Sequence, residues 1–137
     1  MRVRFAAVLL AAGLMTISCG GITDPSQNNV QTASGAFPPG GQSAGIAFTA
    51  ANGGELTVRI TALAPNSQTY VGLYWLQDAS GGACTSYGGN LFQTSFAQIN
   101  VPVITGAQIV KGQYCIVLYD SVGLASAETF TVTISHP

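Results

Sequence analysis

VKGQYCIVLYDSVGLASAETFTVTISHP, from Val110 to Pro137, decides the fold class. Tyr114, Ile116 and Leu118 alternate with Cys115, Val117 and Tyr119, and Phe130, Val132 and Ile134 alternate strictly with Thr129, Thr131 and Thr133. A period of two marks half-buried antiparallel strands, because successive side chains of a strand point to opposite faces. The stretch therefore reads as a closing hairpin of two strands and a turn. A lone hairpin is marginal in water, so the rest of the chain must supply a second layer over its apolar side.

Upstream segments repeat the pattern. AGIAFTA (44–50) reads as a strand, Asn52, Gly53 and Gly54 as a tight turn, and ELTVRITAL as a second strand. In that strand Leu56, Val58, Ile60 and Ala62 oppose Glu55, Thr57, Arg59 and Thr61, one face core and the other wet. YVGLYWL (70–76) differs, being apolar or aromatic on both faces: Val71, Leu73 and Trp75 against Tyr70, Gly72, Tyr74 and Leu76. It is either a central strand covered twice or one that shows an aromatic face outward. Trp75, sharing a face with Val71 and Leu73, reads as the core tryptophan. Cys84 to Asn90 reads as irregular, and LFQTSFAQINVPVIT (91–105) as one or two short strands. Pro102 cannot donate a ladder hydrogen bond and needs a sheet edge or a bulge. The count is about seven or eight strands with frequent turns, which predicts an all-β, antiparallel β-sandwich, jelly-roll-like, over residues 44–137.

The N-terminus carries a different message. Arg2 and Arg4 precede an apolar run from Phe5 to Met15, and small or polar residues lead to Cys19. Residues 1–18 read as a signal peptide, because the run is much shorter than the ~20 residues a membrane span needs. Ser18 and Cys19 match the end of a bacterial lipobox, with Thr16 where that motif favours Leu. Cysteine number points the same way: there are three, and an exported chain does not usually keep a leftover thiol. With Cys19 lipidated, Cys84 and Cys115 remain as a disulfide pair for an oxidising compartment. Gly20 and Gly21 follow the cysteine, and the absence of Asp there implies the outer membrane. GGITDPSQNNVQTASGAFPPGGQS is polar, Gly- and Pro-rich, so residues 19–43 read as a flexible tether between the membrane and the folded domain.

Charge excludes some partners. Net charge is −1 and charged residues make up 7% of the chain, with only Arg59 and Lys111 basic beyond the leader. Binding to phosphate backbones requires clustered Lys and Arg, so no nucleic-acid partner is expected.

Two family resemblances rest on the closing stretch. Val110, Gly112, Tyr114, Ile116, Leu118, Tyr119 and Asp120, then Phe130, Thr131, Val132, Thr133 and Ile134, resemble the end of bacterial pre-peptidase C-terminal domains. Phe48, the Gly53 and Gly54 turn, and Leu56, Val58 and Ile60 are similar to that family's opening hairpin. The same closing stretch also resembles the GOLD-type sandwich of proteins that act in cargo interactions. Either resemblance implies an accessory, non-catalytic module. The pre-peptidase family often carries an Asp-x-Asp, associated with calcium, where this chain has Tyr70 and Gly72. Without those carboxylates no calcium site is expected, since the ion takes six to eight oxygens.

The residues offer little for catalysis. His136 is the lone histidine and stands beside the terminus, where a frayed chain would not hold a general base. No catalytic residue, metal site or cofactor is expected. Asp78 and Asp120 lie at turns, where Asp caps backbone donors; Asp120 and Glu128 facing each other over a cation, or pairing with Lys111, is the weaker reading. Tyr70, Tyr74 and Tyr87 are the candidate binding surface, provided they are exposed together. The expected function is a lipid-anchored envelope interaction module binding an envelope protein. A carbohydrate-binding module using those tyrosines on a polysaccharide, and a passive structural lipoprotein, are the alternatives.

Overall fold

The structure, a computed structural model, describes residues 25–137. The signal peptide (1–18) and the lipidation at Cys19 lie outside the described residues. After one 3-10 turn, Pro25–Gln27, the chain forms eight strands: β1 (Asn29–Phe37), β2 (Ile46–Ala50), β3 (Gly54–Ala64), β4 (Val71–Asp78), β5 (Tyr87–Ala97), β6 (Pro102–Ile109), β7 (Gly112–Tyr119) and β8 (Glu128–His136). They lie in two four-stranded antiparallel sheets, ordered β1-β8-β3-β6 (sheet A) and β2-β7-β4-β5 (sheet B). This is the order of a jelly roll, an eight-stranded double-sheet sandwich. No helix among the described residues is long and apolar enough to cross a membrane.

The Val110 to Pro137 stretch does hold two strands, but they are not a hairpin. β7 pairs with β2 and β4, whereas β8 pairs with β1 and β3, so residues 120–127 cross from one sheet to the other. Tyr114, Ile116 and Leu118 of β7 join Phe130, Val132 and Ile134 of β8 in one buried core. Two strands in opposite layers cover each other's apolar faces; side by side, both would still need a cover. β2 and β3, read as hairpin partners, are likewise divided between the sheets.

The sandwich also starts earlier than Ala44. All nine residues of β1 pair with β8 in unbroken register, so the part of the expected tether from Asn29 onward belongs to the domain. Its inward positions are Gln31, Ala33, Gly35 and Phe37, of which only Phe37 is large, and so the sequence signal is faint. Gly35 has a steric reason: a Cβ there would stand 2.7 Å from Cζ of Phe130. The chain then stays bound to β7, with Ser43 N–H donating to the Leu118 carbonyl and Leu118 N–H donating to Ser43 Oγ.

β5 reaches back to Tyr87, taking in glycines expected to be irregular, and absorbs them through three register shifts against β4. Pro102 opens β6 at the edge of sheet A, where no ladder donor is missed. Trp75 is buried in the core with its ring 5.9 Å from that of Tyr114. β4 is central and covered twice. Beyond the main core, Leu76, Cys84, Cys115 and Val117 form a second small cluster on the outer face of sheet B. Cys84 reaches it from the loop after β4 through the disulfide to Cys115.

Candidate functional site

The residues able to carry chemistry are engaged separately. Asp78 accepts the backbone N–H of Ser80 at 2.9 Å, the Ser80 hydroxyl and the Gly82 N–H, which shapes the loop that delivers Cys84. The Ser80 hydroxyl, with the backbone donors, holds the Asp78 carboxyl below its usual range. Asp120 accepts four backbone N–H groups: Gly40 and Leu124 at Oδ2, Val122 and Gly123 at Oδ1, all within 2.8–3.0 Å. These donors, Gly40 first, depress its carboxyl as well, because they favour the charged form. Both acids are turn caps, as their positions suggested.

Glu128 does not face Asp120. It is fully buried at the start of β8, and its two oxygens accept the backbone N–H and the side-chain amide of Asn66, each at 2.9 Å. His136 is not frayed either. It closes β8 opposite Asn29, is buried, and lies 5.2 Å ring to ring from Phe48. Asp78, Cys84 and Cys115 bring ligand-type atoms within 4.8 Å of one another, but both sulfurs are bonded to each other and are not free to ligate.

One outcome follows for acid solution. The depressed Asp120 carboxyl contributes stability that is complete above its unfolded pKa, about 3.9, and is lost as pH falls through its lower folded value. Asp120→Asn is therefore expected to lower the unfolding temperature at pH 7 and to flatten its fall on acidification, followed by thermal unfolding across that range. Parallel acid profiles would contradict the role of this cap.

Aromatic residues are brought together on the outer face of sheet B, in a different grouping from the one expected. Tyr74 of β4 stacks on Tyr119 of β7, 4.5 Å between centroids and 23° between planes. Gly72 makes that possible. A Cβ there would fall 2.1 Å from the Tyr119 ring, so the dip expected at Gly72 is filled by an aromatic ring. Gln93 of β5 donates its amide N–H to both tyrosine hydroxyls, at 3.4 and 3.2 Å, and Ser95 lies 3.1 Å from the Tyr119 hydroxyl. Burial, then the neighbouring Tyr119, pushes the Tyr74 phenol above its usual range.

Tyr70, 44% exposed, stands edge-on to Phe96 at 5.9 Å, and Phe96 is itself 74% exposed. Tyr87 pairs with Asp78 at the far end of β4 and is 39% exposed. Its hydroxyl lies over Gly45, 3.1 Å from where a Cβ would stand. At about 3.3 Å per residue, Tyr70 and Tyr87 are roughly 26 Å apart along the strand. The three tyrosines thus occupy three separate settings. Phe96 and Tyr119 were missed as their partners; Phe96 stands in a segment of mixed pattern, and Tyr119 ends a strand that is buried from Tyr114 to Leu118.

Beside Phe96, a small recess of about 120 Å³ is lined by Thr94, Ala97, Gln98, Val101, Pro102 and Val103, where the edge strands β5 and β6 meet. Val101 is half exposed. Phe96 and Val101 both border that recess, and Tyr70 stands against Phe96.

No family model matches the chain, and no curated protein matches it. Among solved structures, the fold is similar to the crystal structure of the Yersinia pseudotuberculosis-derived mitogen, with a TM-score of 0.52 and 14% identity over 80% of this chain and 87% of that one. At that identity the likeness concerns the fold.

Proposed function

We propose that this chain is an exported, lipid-anchored, non-catalytic β-sandwich that acts as an envelope interaction module, binding a protein partner through the exposed Tyr70 and Phe96 at the β5 edge of sheet B, with Val101 of the β5–β6 connection beside Phe96. The observation that carries this reading is the exposure of Phe96 with Tyr70 against it. Large aromatics grouped on a surface mark contact sites, because they supply apolar area at low entropic cost and dominate binding energy where they are buried by a partner. The separate engagement of Asp78, Asp120, Glu128 and His136 supports binding over catalysis. Anchoring rests on the leader and on Cys19, with the outer membrane as the site implied by Gly20 and Gly21.

A polysaccharide is the second reading, favoured by Gln93 and Ser95 beside the partly buried Tyr74 and Tyr119 pair, since sugars are held by such polar groups flanking aromatic rings. The test is a crosslinked pull-down of the full-length protein from its own membranes beside a Tyr70→Ala, Phe96→Ala variant. One protein captured by the native chain and lost in the variant is the expected result. Retention of that protein by the variant overturns the assigned surface. Capture of polysaccharide alone favours the second reading, and capture of nothing favours a passive structural lipoprotein.

A further inference from the structure

A jelly roll has four open strand edges, and three of the four here carry features that discourage pairing with another chain. β2 is five residues long, and one of its carbonyls, that of Ala47, already accepts the side chain of Gln31. β5 is broken by three register shifts. β6 begins with Pro102 and carries two register shifts against β3. Short strands, prolines, bulges and charges are how proteins blunt free edges.

β1 has none of these. NVQTASGAF contains no charge and no proline, and its nine residues run in unbroken register with β8, so that its other side, which no other strand among the described residues pairs with, presents a row of backbone donors and acceptors. On the face turned away from the core its side chains are Val30, Thr32, Ser34 and Ala36, each exposed. All are small or β-branched, so a neighbouring strand can approach closely.

We infer that β1 is a self-docking edge, at which two copies of this chain pair antiparallel about a two-fold axis at Ala33. The sequence of the strand points to a second copy as the occupant. About that axis Thr32 faces Ser34 of the other copy and Val30 faces Ala36, which gives hydroxyl pairs and small apolar pairs of the kind that stabilise antiparallel ladders. No like charges oppose each other in any row. The Thr and Ser rows repeat an arrangement already present inside the sheet, where Ser34 and Thr131 share a hydrogen bond of 2.9 Å between β1 and β8. Sheet A would then run through eight strands. This surface lies on the sheet opposite the aromatic cluster and does not depend on the proposed function.

A single strand pair buries less than the ~1,200 Å² of a standard interface, so the expected dimer is weak, with a dissociation constant on the order of 10–100 μM. Sedimentation of the full chain recovered from its host is the test, with Thr32→Lys, Ser34→Lys and Thr32→Glu, Ser34→Glu double variants. Both positions are exposed, and circular dichroism checks that each variant keeps its fold. Each variant alone is expected to associate at least about tenfold more weakly than the native chain, through like charges facing across the axis. An equal mixture of the two is expected to regain association, because the lysines of one copy then face the glutamates of the other. A native chain that stays monomeric throughout the millimolar range overturns the inference. So does a lysine variant that associates as the native chain does, or a mixture that fails to recover.

Discussion

Replacing Cys84 with alanine is expected to lower the unfolding midpoint by roughly 15 °C, at about 4 °C per kcal/mol for a domain of this size. The disulfide to Cys115 spans 31 residues, and on the chain-entropy view closing a loop of that length contributes about 3–4 kcal/mol. That is a large share of the 5–15 kcal/mol typical of a whole domain. The loop after β4 also loses its attachment, which uncovers Leu76 and Val117 on the outer face of sheet B. A reductant should bring the native chain down to the midpoint of the variant and leave the variant unmoved. Equal midpoints for native and Cys84→Ala chains would show that the staple carries no stability.

The second large effect belongs to Glu128. Its carboxylate accepts both the backbone N–H and the amide of Asn66, tying the loop after β3 to the start of β8. Hydrogen bonds to a charged group contribute about 1.5–3 kcal/mol each, and a buried group left without a partner costs more than one lost evenly. Glu128→Ala is therefore expected to cost about 2–4 kcal/mol in urea unfolding. Glu128→Gln should fall between, since its one carbonyl oxygen can serve only one of the two donors well. The groove lined by Pro65 to Thr69 and Gly123 to Ser126 lies between those segments, and hydrogen exchange there should rise in the alanine variant. Unchanged stability in both variants would contradict this role.

Alternation alone carried much of the fold. The period of two in β3, β7 and β8 separates inward from outward side chains, and the core contains Leu56, Val58, Ile60, Ile116, Val132 and Ile134 as that period requires. Trp75, Pro102 and the Asp78 and Asp120 caps were legible for local reasons: size, a missing donor, and a short carboxylate beside free backbone donors. What alternation cannot say is which strand lies beside which. A strand buried on one face looks the same whether its successor pairs with it or crosses to the other sheet, and so β7 and β8 read as a hairpin. β1 left only a faint trace, at Ala36 and Phe37, because an edge strand needs little apolar surface; Gly35 suffices beneath the Phe130 ring.

The candidate site was less legible for a related reason. Tyr70, Tyr74 and Tyr87 look alike in sequence, but their settings depend on residues brought from β5 and β7. Phe96 comes to Tyr70, and Tyr119 to Tyr74, through strand pairings that link positions more than twenty residues apart. Glu128 and His136 were similarly hidden, because their burial follows from the jelly-roll crossing and from β1, not from their neighbours in the chain.

The most direct measurement is site-specific photocrosslinking in native membranes, with a benzophenone side chain placed at Phe96 in one variant and at Thr129, on the exposed face of sheet A, in another. A single protein crosslinked from position 96 and not from position 129 is the result expected of an interaction module that uses the aromatic edge of sheet B. Equal crosslinking from both positions, or none from position 96, would contradict it.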